Sequence, residues 1–173
     1  MKIKITLKII AILLITTSFS FGQTPTLDQK IDELSYSIKY PSTWKIDNTG
    51  RNGITFLLFA EKESQNDNFG ENINLLIQDL HSMNLDLDKY TQISEEQIKA
   101  NGNLIESKRI SKNRIDSQQL TYEALFKTNQ LKFRQYYFLK DEKAYILTFT
   151  ATTETYDKYI EIAEKIMNTF KVK

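Results

Sequence analysis

The stretch YSIKYPSTWKI, residues 36–46, is a strand, a proline stop and the start of a second strand. Side chains flip at every residue of an extended chain, so Tyr36, Ile38 and Tyr40 share one face while Ser37 and Lys39 take the other. Pro41 has no N–H for a ladder and ends the strand. Ser42 and Thr43 turn the chain, and Trp44 and Ile46 resume the alternation. Trp44 is the only tryptophan. A lone large aromatic just behind a proline turn is expected to plug a core.

Outward from there the chain alternates short polar turns with apolar runs. Asp47 to Gly53 is a turn cluster. Ile54 to Ala60 (ITFLLFA) and Asn72 to Leu80 (NINLLIQDL) are apolar on both faces, the pattern of strands covered on both sides. A polar loop, Glu61 to Asn72, separates them. Leu104–Ser111, Ile115–Phe126, Leu131–Leu139 and Ala144–Ala151 follow as strands joined by short turns, which favours antiparallel neighbours.

Two helices are expected. One starts at Asp86 or Asp88, where an aspartate suits the N-cap, and runs to Ala100 with Asn101-Gly102 as its C-cap. The other covers Glu154 to Phe170, where Tyr156, Tyr159, Ile160, Ala163, Ile166, Met167 and Phe170 recur at three- and four-residue spacing. Leu27, Ile31 and Leu34 carry the spacing of a further turn or two of helix. The expected architecture is α+β: a mainly antiparallel twisted sheet covered by helices on both faces, a three-layer sandwich with an amphipathic C-terminal helix.

In its order of elements the chain resembles the PsbP-like superfamily, bacterial DcrB-like proteins included. The resemblance rests on Y-S-I-x-Y-P-x-x-W at Tyr36–Trp44, E-N-I-N at Glu71–Asn74, and the central helix with Tyr90. It is completed by Y-I-L-T-F-T-A at Tyr145–Ala151 and I-M-N-T-F at Ile166–Phe170. It implies one domain over 34–173, preceded by a lead-in at 23–33, and a sheet layered between helices. It also implies roles in binding rather than catalysis. No residue motif that carries a function in the family is matched here.

Lys2, Lys4 and Lys8, an apolar run from Ile9 to Phe21 and a Ser-Phe-Gly step before Gln23 read as a signal peptide over 1–22. The run is too short and too rich in Ser and Thr for a stable membrane span, which takes ~20 apolar residues. Export to the periplasm or the medium is the expected localisation. Cleavage would remove three lysines and no acid, turning the net charge from +1 to −2. That balance argues against nucleic acid, which requires a concentrated basic face. The chain has no cysteine, which excludes disulfides and thiol chemistry.

Nothing in the sequence composes a catalytic set. His81 is the only histidine, so neither a zinc site nor a His-dependent triad has its parts. Glu95-Glu96 and Glu161/Glu164 sit at helix-surface spacing, without the pocket that acid–base pairs need. Phe133, Tyr136, Tyr137 and Phe138 beside Arg134 fit a two-sided sheet as well as a stacking platform. The one candidate binding segment is the loop bearing Asp67, Asn68, Phe69, Glu71 and Asn72, which lacks the acid spacing of a calcium loop. No metal or cofactor is expected. The expectation is an exported, non-enzymatic accessory protein acting on a protein partner or envelope component. The alternative is a carrier of a small apolar ligand between the sheet and the Leu87–Ala100 helix.

Overall fold

The structure, a computed structural model, describes residues 25–62, 64, 68–112 and 115–173. The leader expected at 1–22 lies outside them. In chain order the strands are β1 (Gln29–Asp32), β2 (Tyr36–Tyr40), β3 (Lys45–Asp47), β4 (Ile54–Phe59) and β5 (Asn72–Asp79). Helix α1 (Leu87–Asn101) follows, then β6 (Asn103–Lys112), β7 (Ile115–Phe126), β8 (Asn129–Lys140) and β9 (Lys143–Thr152). Helix α2 (Tyr156–Met167) and the short β10 (Lys171–Val172) close the chain.

The strands make two antiparallel sheets. The larger has seven strands in the order β3-β4-β5-β9-β8-β7-β6, and the smaller is β1-β2-β10. The long run β7-β8-β9 is a meander of two-residue hairpins. At the β8–β9 turn Asp141 and Glu142 both take left-handed backbone, with φ of 51° and 56°, as a primed turn requires. Strand β9 is central: it pairs over its whole length with β8 on one side and over Lys143–Thr150 with β5 on the other.

One face of the large sheet meets the small sheet and α2. Ile38 of β2, Phe56 and Leu58 of β4, Leu75 of β5, Leu147 and Phe149 of β9, and Ile166 and Phe170 interlock there. Trp44 joins this core at 6 % exposure, as its position behind Pro41 predicts. The opposite face carries a second, smaller core, in which α1 packs Tyr90 against Leu120, Tyr137 and Ile146.

The expectation of helices clothing both faces in three layers is therefore corrected. The covering layer on the core face is largely β-structure, the three-stranded sheet beside α2. Among the described residues the other face carries a single helix, α1, set over the β6-β7-β8 side. Leu57 and Phe59 of β4, whose two-sided apolarity suggested a second helical cover, are half-buried and belong to neither core. Apolar residues on both faces of a strand record low exposure, and neighbours within the sheet provide part of that cover.

Two local readings also change. The Leu27–Leu34 segment is not helical: Gln29–Asp32 pairs with β2, and Leu34 is 99 % exposed. Gly102 is the C-cap of α1, as expected, but in extended backbone with φ of −166° and not in the left-handed region. A glycine is needed there because a Cβ would lie 2.3 Å from the carbonyl oxygen of Glu123 on β7. Gly102 is the point where the helix drops onto the sheet.

Candidate functional site

Strand register brings uncharged polar side chains together on the α1 side of the large sheet. Asn72, Thr150 and Phe133 stand abreast across β5, β9 and β8, and Asn74, Thr148 and Gln135 form the next row. Leu76, Ile146 and Tyr137 make the third row, which α1 covers. Because side chains alternate, every residue that β5, β9 and β8 place on this face can be read from the register. None of them is charged, although 26 % of the chain is Asp, Glu, Lys or Arg.

The rows are tied by hydrogen bonds among amides and hydroxyls. Gln135 Nε2 donates to Thr148 Oγ1 at 2.9 Å, and Tyr137 OH donates to Gln135 Oε1 at 2.7 Å. Asn74 Nδ2 donates to Asn72 Oδ1 at 3.3 Å, and Asn72 Nδ2 to the Gly70 carbonyl at 2.9 Å. Tyr122 and Phe133 stack with centroids 4.6 Å apart and planes 13° from parallel.

Where this face runs under α1, a groove of about 380 Å³ opens. Its helix wall is Tyr90, Ser94, Gln97, Ile98 and Asn101, and its sheet wall includes Gln78, Tyr122 and Gln135. Tyr90 OH crosses from the helix to Gln78 Oε1 at 2.9 Å. Burial pushes the Tyr122 hydroxyl up to about 12, against a hydrogen bond with Gln135 that acts the other way. Burial also raises Tyr90, and raises Tyr137 against a hydrogen bond with Ser94. The phenols therefore stay protonated near neutral pH, and the groove stays uncharged.

Comparisons with known proteins identify the family behind this architecture. The sequence model described as PsbP-like protein matches residues 15–172. The chain belongs to the PsbP-like protein family. A comparison with curated protein sequences finds none that matches. Among solved structures, the cyanobacterial PsbP of Synechocystis sp. PCC 6803 is similar with a TM-score of 0.61 at 14 % identity, covering 89 % of this chain and 98 % of its own. LpqN of Mycobacterium tuberculosis, described as involved in cell envelope biogenesis, is similar at 0.62 and 10 % identity, over 83 % and 90 % of the two chains. PA94 of Pseudomonas aeruginosa, described as a putative regulator of unknown function, is similar at 0.59 and 13 %, over 82 % and 94 %. At these identities the likeness is one of fold.

The PsbP-like chain does not gather the loop singled out from its sequence into one cluster. Asp67 lies outside the described residues. Asn68 is exposed, and Phe69 is half-buried. Glu71 is 3 % exposed and turns to the α2 side, where it accepts a 2.6 Å bond from the Thr155 hydroxyl at the start of that helix. Asn72 turns the opposite way, onto the uncharged face. Among the described residues no group of three or more His, Asp or Glu is placed to hold a metal ion.

The other constellations of this PsbP-like protein are dispersed or engaged. Phe133 and Tyr137 face α1, while Tyr136 and Phe138 enter the core on the far side. Arg134 points to the α2 side, 3.2 Å from Glu164 and 3.8 Å from Glu106, so no stacking platform forms. His81 is exposed and 2.9 Å from Glu142. A cavity of about 530 Å³ lies between the start of α1 and the β8–β9 turn. Its rim mixes acids with lysines, and Asp86 there is occupied in capping α1 through the Lys89 N–H.

Apart from Asn72, the residues of the uncharged face went unrecognised in the sequence. A signal was present: polar, uncharged residues at alternate positions of otherwise apolar strands, Asn72 and Asn74 in one and Thr148, Thr150 and Thr152 in another.

Proposed function

We propose that this protein is an exported, non-catalytic binding protein of the cell envelope, and that it binds through the α1 side of its large sheet. The single observation behind the reading is the charge-free, hydrogen-bonding face of β5, β9 and β8. A surface that serves only solubility carries charges of both signs, as the rest of this chain does. The occupant is an envelope component that presents uncharged hydrogen-bonding groups. Support comes from the signal-peptide pattern at 1–22 and from the fold shared with LpqN, a protein of cell envelope biogenesis. No described helix is long and apolar enough to cross a membrane.

The test is photocrosslinking in intact cells from a reactive residue placed at Asn74, with Glu154, exposed in the turn before α2, as control. A discrete adduct from position 74 alone is expected. Equal adduct patterns from both positions would remove the reading.

Carriage of a small ligand in the groove beneath α1 is the second reading. It is favoured by the groove's volume, which lies within the roughly 300–1,000 Å³ of small-molecule sites.

A further inference from the structure

We propose that the groove between α1 and the sheet binds an uncharged saccharide unit; this rests on the binding reading above and names its ligand class. Three features of the groove converge on that chemistry.

The first is its inventory of donors and acceptors. Gln78, Gln97, Asn101 and Gln135 bring carboxamides, each with donors and an acceptor on one group. Two of them are fixed from behind. The phenol of Tyr90 bonds Gln78 at Oε1, and that of Tyr137 bonds Gln135 at Oε1. Those bonds hold each carboxamide in one orientation and leave Gln78 Nε2 and one N–H of Gln135 to serve a guest. The Gln97 side chain, exposed on α1, takes part in no hydrogen bond among the described residues. Hydroxyl-rich molecules, in which each group both donates and accepts, match such a set.

The second feature is the absence of charge. A charged guest would lose its hydration here without gaining a counter-charge, which disfavours it strongly. A wholly apolar guest would cover Gln78 Nε2 and the remaining N–H of Gln135 without pairing them, at the cost of their desolvation. An uncharged polar guest escapes both penalties.

The third feature is the stacked pair Tyr122 and Phe133 beside Gln135. The two rings lie nearly parallel, face to face, and the surface they leave uncovered is apolar and next to the amides. A pyranose has the same division, with hydroxyls around its rim and C–H groups on its faces.

The experiment uses the full chain, isotope-labelled, with maltotriose and N-acetylchitotriose as probes followed by NMR. Laurate and glucuronate serve as apolar and charged comparators. Saturable shifts at Tyr122, Gln135 and Gln97 with a saccharide, unchanged between low and high salt, are the expected result. Gln97→Leu should weaken that binding about three- to tenfold with unchanged melting temperature, since one neutral hydrogen bond is lost. Tyr122→Phe is the second variant and should also weaken it.

Absence of saturable saccharide binding, or binding of laurate in preference, would overturn the proposal. So would a steep fall with salt, or binding untouched by both variants. Vesicles carrying a neutral glycolipid, set beside phosphatidylcholine vesicles, separate a lipid-linked sugar from a free one. Crosslinking from position 74 without saccharide binding would remove the ligand class and leave the binding role standing.

Discussion

The ring of Tyr90 stands edge-on to that of Tyr137, centroids 5.2 Å apart and planes at 89°. This contact fastens α1 to the large sheet. Only Tyr90 and Thr91 of the helix are buried, so the remaining apolar stripe, including Leu87 and Ile98, packs at the margin. The weak amphipathicity of α1 has a structural meaning: the turns beyond Tyr90 place Ser94, Gln97 and Asn101 over a groove instead of a core.

Replacing Tyr90 should loosen the helix in two steps. Tyr90→Phe keeps the ring pair and loses the bond to Gln78, costing about 0.5–1.5 kcal/mol. Tyr90→Ala also loses the ring and should cost about 3–5 kcal/mol, in line with other buried aromatics. Denaturant unfolding followed by Trp44 fluorescence measures both. Hydrogen exchange should show α1 amides losing protection before those of β8 and β9. Unchanged protection in Tyr90→Ala would mean that another residue anchors the helix.

Gly102→Ala should destabilise by about 1–3 kcal/mol, the usual range for forcing an extra carbon into a packed site. The obstacle is the backbone carbonyl of Glu123, which a rotamer change cannot move. Relief requires the start of β6 to shift against β7, so the largest amide shifts in an NMR spectrum should fall at Asn103–Leu104 and Tyr122–Ala124. A spectrum perturbed only within α1 would locate the strain elsewhere.

Acid should weaken the attachment of the C-terminus. Hydrogen bonds from Lys173 and then Lys30 hold the Asp32 carboxyl down from 3.8 to about 2. A carboxylate with a depressed folded pKa contributes stability above its unfolded value and loses it as pH falls through the folded one. The contribution from Asp32 is thus present above about pH 4 and gone by about pH 2. Asp32→Asn should flatten that part of the melting-temperature profile, and salt should shrink the difference because the groups are exposed. Identical acid profiles for the two proteins would show that the pair does not hold in solution.

Much of the fold was legible because it is local. Alternation and turn chemistry place β7 at Ile115–Phe126 to the residue, and an aspartate at the N-cap places the start of α1 at Asp86 or Asp88, of which Asp86 takes the cap. Short segments were not legible. In β1 the three- and four-residue spacing of Leu27, Ile31 and Leu34 imitates a helix, while pairing with β2 decides the strand. In β10 two residues carry no period at all. Phe170 was assigned to α2, but the helix stops at Met167 and Phe170 enters the core after the chain turns.

The candidate site was hidden for a related reason. The loop with Asn68, Glu71 and Asn72 attracts notice because polar residues run together in sequence. Its buried member, Glu71, serves instead to hold the start of α2 through Thr155. The uncharged face combines Asn74, Gln135 and Thr148, from three strands, and no window of sequence contains them together.

By itself the sequence determined the character of the long strands and of the two helices, the buried tryptophan and the family, since these follow from periods and residue types within short windows. Only the tertiary structure decided that a small β-sheet, not a helix alone, covers one face, and that amides and phenols meet in a groove on the other. Alternation says that a residue faces one side or the other. What waits on that side depends on the register of strands far apart in the chain, and that register is set by packing the whole molecule at once.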